Sequence, residues 1–232
     1  MSDPILSDPT WELLRLLFKP HPWHGVSIGA EAPDVVTVFV EIVPTDTVKY
    51  EIDKPSGHLK VDRPQKYSNV CPTLYGFVPQ TFCGERVAAL SQEHTGRATV
   101  RGDGDPLDIC VLSEKAFTHG DVLLQAVPIG GLRLIDREEA DDKIVAVLRD
   151  DFAFGHFRSI DEVPAAQIER LKHYFLTYKR PPGTEEPDVV AITHVYGREE
   201  ALAVIERSRE DYSELFPDLR DRLLSSLREG KR

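Results

Sequence analysis

A single α+β domain built around a barrel-like sheet is the fold that this sequence predicts. Three observations lead there. Apolar runs of strand type fill the stretch from Val35 to Leu148, whereas helical spacing takes over after Pro164; strands first and helices last mark an α+β arrangement rather than alternating βαβ units. The chain has 232 residues, 41% of them hydrophobic, enough for one sizeable core. No internal repeat or low-complexity tract divides it.

The elements follow in chain order. Asp8-Pro9 ahead of Trp11, Leu13, Leu14, Leu17 and Phe18 predicts a capped amphipathic helix. His21-Pro22-Trp23-His24-Gly25 breaks it and reads as a turn, in preference to a pair of metal-ligating histidines. Val35–Val43 is a near-continuous apolar run, and Val48–Asp53 and His58–Arg63 alternate on either side of Pro55-Ser56-Gly57, a turn sequence. Thr81–Gly96 is polar and reads as a loop. Strands resume at Ala98–Arg101, Asp108–Leu112, Val122–Leu134 and Lys143–Leu148. Pro164 opens a helix through Ile168, Leu171, Tyr174 and Phe175, ending near Lys179 and stopped by Pro181-Pro182-Gly183. Arg198–Glu229 reads as one or two charged amphipathic helices.

Charge narrows the partners. Acidic residues number 39 and basic residues 28, a net charge of −11, with no basic run. Nucleic acid and anionic membrane are therefore excluded as main partners. A small anionic substrate is not excluded, because bound metal ions invert the local field. MSDPILSDPT lacks the cationic start and apolar stretch of a secretory signal, and no apolar run is long enough to span a bilayer. Cys71, Cys83 and Cys110 form no CxxC pair and read as buried thiols, which places the expected setting in a reducing cytoplasm.

The chemistry concentrates in Gly102-Asp103-Gly104-Asp105-Pro106-Leu107-Asp108-Ile109-Cys110, where three carboxylates fall within six residues. A solvated turn is the plainest reading. An EF-hand loop fails: Asp108 occupies the position that requires Gly, Leu107 stands where a ligand belongs, and strands flank the segment. Convergence of the three onto a hard cation such as Mg2+ or Mn2+ fits better, since close like charges otherwise force protonation. Further carboxylates lie in Asp136-Arg137-Glu138-Glu139-Ala140-Asp141-Asp142-Lys143, and Glu41 interrupts an apolar strand, where it needs a partner or an ion. Lys49 and Glu51 share a strand face, and Arg63, Lys143, Tyr178 and Lys179 add cations and a phenol. Oxygen ligands for metals beside Lys, Arg and Tyr suit a phosphate substrate.

At this point DGDPLD resembles the signature of the soluble family I inorganic pyrophosphatases. Six other blocks fall in matching order: VEI at Glu41, KYEIDK from Lys49, VDR at Arg63, PTLYGF at Tyr75, DREEADDK from Asp136, and Tyr178-Lys179. The resemblance spans Val35 to Lys179, about the 35–180 core, with 1–34 and 181–232 as additions. It implies a five-stranded OB-like barrel with flanking helices, N- and C-terminal helical extensions, and pyrophosphate hydrolysis with several Mg2+ ions, Mn2+ or Zn2+ serving as substitutes. By matching motif, Asp103, Asp108 and Asp141 are similar to the ligands of the metals that activate water. Asp136 with Asp141 resembles the site of metal arriving with substrate. Glu41 and Glu51 resemble outer metal-site carboxylates, and Asp105 the general base. Lys49, Arg63, Tyr75, Lys143, Tyr178 and Lys179 resemble the substrate clamp. The resemblance also implies a homo-oligomer. Two positions depart from the pattern: Arg137 replaces an acidic residue, and Cys71 replaces a Tyr. Nudix and P-loop signatures are absent, and the acidic charge disfavours an OB-type nucleic-acid module.

Overall fold

Val, Ile and Phe crowd the run Val36–Ile42, and it forms β1. The computed structural model describes residues 20–179 and 190–217. The other strands are β2 (Val48–Ile52), β3 (Leu59–Pro64), β4 (Leu74–Phe77), β5 (Arg101–Gly102), β6 (Asp108–Leu112), β7 (Val122–Asp136), β8 (Glu139–Ala140), β9 (Lys143–Leu148) and β10 (Val190–Gly197). The helices are α1 (Glu85–Thr95), α2 (Ala165–Thr177) and α3 (Arg198–Leu215).

Five strands close into a ring. β1 pairs with β4, β4 with β6, β6 with β9, β9 with β7, and β7 returns to β1. Closure leaves these strands no free edge. The 15-residue β7 outruns the ring, and its far half carries β10 and the short β8. β2 and β3 pair only with each other, as a separate two-stranded ribbon. One apolar face of β6 and β9, with Ile109, Val111, Ile144 and Ala146, packs in a cluster with Val87 of α1 and Ala201, Val204 and Ile205 of α3. The other, with Cys110, Leu112, Val145 and Val147, packs with Ile168, Leu171, Tyr174 and Phe175 of α2. The alternation of the strands thus supplies apolar surface to two separate helical layers.

The barrel answers the sequence expectation, and three details correct it. Thr81–Gly96 is not a loop: Glu85–Thr95 is helical, with Val87, Ala88 and Ser91 buried at helical spacing. Its start carries no local cap. Asp211 of α3 accepts the backbone N–H groups of Gly84, Arg86 and Val87 at 3.0–3.2 Å, so the orphan donors are satisfied from 124–127 residues away. β4 and β10 are strands where the sequence reading placed none, and Ala98–Arg101 shrinks to a two-residue bridge at Arg101. The expected helix before Phe18, the Pro181-Pro182-Gly183 stop and the tail beyond Pro217 lie outside the described residues.

Candidate active site

Asp108 opens β6, and parallel pairing sets it directly beside Lys143 at the start of β9. The Lys143 ammonium donates to Asp108 Oδ2 at 2.5 Å and also meets Asp141. Tyr75 on β4 donates its hydroxyl to the same Asp108 oxygen at 2.6 Å. Its neighbour Gly76 lets β1 lie close against β4, because a Cβ there would stand 1.9 Å from the Phe39 carbonyl oxygen. Asp136 ends β7 and pairs with Lys179. Asp141 follows β8, its amide held by the Leu134 carbonyl at 2.9 Å.

Glu41 owes its position to a β-bulge. Val40 pairs with Gly76 and Ile42 with Tyr75, so Glu41 is the extra residue. It is buried, and its Oε1 accepts the Ile52 amide at 2.6 Å, which ties the ribbon to the barrel. The loop between β5 and β6 carries Asp103 and Asp105. Gly104 takes φ +75°, a conformation that favours glycine, and the Asp105 amide donates to Asp103 Oδ1 at 2.9 Å.

Cations face this wall from the ribbon. Lys49 donates to Glu51 at 3.0 Å and to Asp62 at 2.8 Å. A second bulge sets both Asp62 and Arg63 against Lys49, and both line the cavity. Arg63 lies 5.6 Å from the Tyr178 ring centroid, and Lys179 lies 5.3 Å from the same ring. All thirteen residues singled out from the sequence line one cavity of about 620 Å³.

Burial sets the electrostatics. Glu41 is pushed up to about 8 by burial and then by the negative charge of Asp108. Asp103 rises to about 8 from burial and from Asp141, and burial raises Asp141 as well. Burial alone would lower Lys143, but Asp108 and Asp141 outweigh it and hold the ammonium charged. The cavity carries ten carboxylates against six cationic side chains. A hard, oxygen-loving divalent ion fits that donor set, with Glu41, Asp103, Asp108, Asp136 and Asp141 as its nearest candidates.

Comparison with known proteins agrees with this geometry. The family model described as inorganic pyrophosphatase matches residues 38–213. The inorganic pyrophosphatase of Chlamydia trachomatis is 49% identical over 199 residues, covering 84% of this chain and 95% of that one. The chain belongs to the inorganic pyrophosphatase family. Membership places it among the hydrolases of phosphoanhydride bonds. The soluble inorganic pyrophosphatase of Oryza sativa is 38% identical over 192 residues, covering 83% of this chain and 79% of that one. The crystal structure of inorganic pyrophosphatase from Thermus thermophilus superposes with a TM-score of 0.69 at 28% identity, over 84% of this chain and 99% of that one.

Several residues escaped the sequence reading. Lys54 pairs with Asp105, and Asp53, Lys60, Asp62 and Glu139 also line the cavity. Lys54 and Asp62 sit inside the quoted KYEIDK and VDR blocks, so those blocks held the signal. Asp142 faces away and forms a buried pair with Arg133, Nε to Oδ1 3.2 Å. The two departures lie off the cavity. Arg137 is exposed in the tight β7–β8 turn at φ +61°. Cys71 is fully buried beside Cys110 and Tyr174, and burial pushes its thiol up to about 12, so it is unreactive. His21 and His24 form the expected turn, with His21 Nε2 2.9 Å from the Lys54 carbonyl and His24 Nδ1 2.9 Å from the Tyr212 hydroxyl.

Proposed function

We propose that the chain hydrolyses inorganic pyrophosphate to two orthophosphates, using divalent ions, Mg2+ foremost, and a water deprotonated toward Asp105. One observation carries the reading: a wall of buried carboxylates on the barrel faces a cationic ribbon across a single cavity. Glu41, Glu51, Asp103, Asp108, Asp136 and Asp141 would hold the ions, which supply charge neutralisation and acidify the attacking water.

The remaining steps belong to the chain's own side chains. Asp105 is half exposed at the cavity and accepts the water's proton. Lys54, which meets Asp105, holds that carboxylate until a phosphoryl oxygen competes for the ammonium. Lys49, Arg63, Lys143 and Lys179 neutralise the charge that grows on the departing phosphate. Tyr75 and Tyr178 orient phosphoryl oxygens through their hydroxyls. Burial raises both phenols, Tyr75 well above the ordinary tyrosine value, so they remain hydrogen-bond donors throughout the working range.

The same reading makes the chain a one-domain cytosolic homo-oligomer. Three free, buried cysteines suit a reducing compartment, and sedimentation reads the subunit number. The deciding assay is orthophosphate release from pyrophosphate with Mg2+ and with EDTA. Fast release only with the metal supports the reading, and no release with Mg2+, Mn2+ or Zn2+ refutes it.

A further inference from the structure

A second cluster of metal-ligating side chains stands outside the catalytic cavity. His94 ends α1, His194 lies on β10, and Glu200 sits in the first turn of α3. One donor atom from each lies within 4.8 Å of the others. His94 Nδ1 and His194 Nε2 are each 3.4 Å from Glu200 Oε1. A tetrahedral ion about 2.0–2.1 Å from its donors sets those donors about 3.3–3.4 Å apart, so two edges already have the right length.

The contacts around the cluster orient its donors. The Thr193 hydroxyl lies 3.3 Å from the Arg133 carbonyl oxygen and 3.2 Å from His194 Nδ1, so it anchors the ring on the nitrogen that faces away from Glu200 and leaves Nε2 toward the carboxylate. Thr193 is the unpaired residue of a bulge in β10, and a bulge re-aims the side chains beside it. Arg133, wholly buried and backed by Asp142, holds Glu200 Oε1 at 2.6 Å and fixes the carboxylate. An oriented imidazole and an oriented carboxylate are what surrounds a metal site. Both histidines stay about one-third exposed, which leaves an entry path.

We infer that His94, His194 and Glu200 form a second metal site selective for Zn2+, with solvent in the fourth position, that pins α1 to β10 and α3. Two imidazoles and one carboxylate favour Zn2+ over Mg2+, the reverse of the all-oxygen cavity.

The test uses the full chain in excess Mg2+, which fills the oxygen sites, and titrates Zn2+ by calorimetry against the H94A/H194A variant. Glu200 is left intact because Arg133 depends on it. The expected result is one more Zn2+ per chain in the parent than in the variant, displacement of the His94 and His194 imidazole proton resonances by Zn2+, and a Zn2+-dependent rise in Tm that the variant lacks. Circular dichroism and pyrophosphate turnover in Mg2+ should match between the two. Equal Zn2+ stoichiometry and affinity in both proteins would overturn the inference. So would imidazole resonances that move with pH but not with Zn2+, since the two histidines would then bind a proton and no metal. Pyrophosphate turnover in Mg2+ is read separately, so failure of this site leaves the catalytic reading untouched.

Discussion

Replacing Lys143 with Met removes the one cation buried between Asp108 and Asp141, and its consequences can be worked out from the geometry. At 2.5 Å and an effective dielectric of about 20, the contact with Asp108 is worth roughly 6–7 kcal/mol before desolvation. Taking each ion out of water costs several kcal/mol, so the net balance is small, whereas removing one partner leaves the others uncompensated at about 3–5 kcal/mol. The ion-free K143M protein should therefore lose about that much stability in urea unfolding. Lys143 also repels an incoming cation, so K143M should gain more stability from Mg2+ than the parent does. A hundredfold excess over Kd corresponds to about 2.7 kcal/mol. Turnover should nevertheless fall roughly 10²–10³-fold, because a donor to the developing phosphate charge is gone. Equal Mg2+-induced stabilisation of K143M and parent would refute the charge-balance argument. A kcat within about threefold of the parent would remove Lys143 from the substrate contacts.

Asp105→Asn should lower kcat by roughly 10²–10⁴ while Mg2+ affinity by calorimetry stays close to that of the parent; parental turnover would show that another group takes the proton. Gly76→Ala forces a methyl to 1.9 Å from a backbone oxygen. It should cost about 3 kcal/mol or more in denaturant unfolding, and a loss below about 1 kcal/mol would mean that β1 and β4 separate easily there. Glu41 and Asp103, at about 8 when buried and ion-free, against ordinary values of 4.5 and 3.8, keep their protons in the folded protein where the unfolded chain has lost them. Ion-free stability from these groups is thus fully present below about pH 4, erodes as pH rises, and is gone once pH has passed about 8. Mg2+ binding should accordingly release protons at pH 7 and almost none at pH 9.5, read as buffer-dependent heats; identical heats in buffers of different ionisation enthalpy at pH 7 would contradict this. His24, lowered to about 4 by burial and then by His21, prefers to stay neutral when folded, so its contribution is present above pH 6.5 and lost as pH falls through 4. His24→Gln should flatten the acid limb of the Tm–pH curve, and an unchanged limb would assign acid sensitivity elsewhere.

The parts of the fold that were legible in the sequence are those written in local patterns. β6 and β9 begin and end where alternation and turn residues placed them, at Asp108–Leu112 and Lys143–Leu148. α1 was hidden because its cap is Asp211, a residue of another helix, and its apolar stripe is short. β4 is four residues with a glycine inside, too brief to show a period. The gathering of the thirteen site residues in one cavity was foreseen through motif blocks, since residues from Glu41 to Lys179 meet only through barrel closure. The Lys54–Asp105 and Arg133–Asp142 pairs were not legible, because each joins residues that no periodicity connects. The bulges at Glu41 and Asp62 were equally silent, because an unpaired residue is a property of two strands together.

The ribbon of β2 and β3 shares no strand pairing with the barrel, yet it supplies Lys49, Lys54, Lys60 and Arg63 to the cavity. Part of the cavity's positive charge therefore sits on a piece that takes no part in barrel closure, while Lys143 stands on a barrel strand. Side chains seat the ribbon on the rest of the molecule: Ile52 packs with Trp23, Phe39 and Phe77, Glu41 accepts the Ile52 amide, Lys54 meets Asp105 and lies with its carbonyl 2.9 Å from His21 Nε2, and Gly57 sits against His21, where an added Cβ would lie 2.7 Å from the ring. Sequence change at the ribbon turn thus reaches the cavity without passing through the strand pairing that closes the barrel.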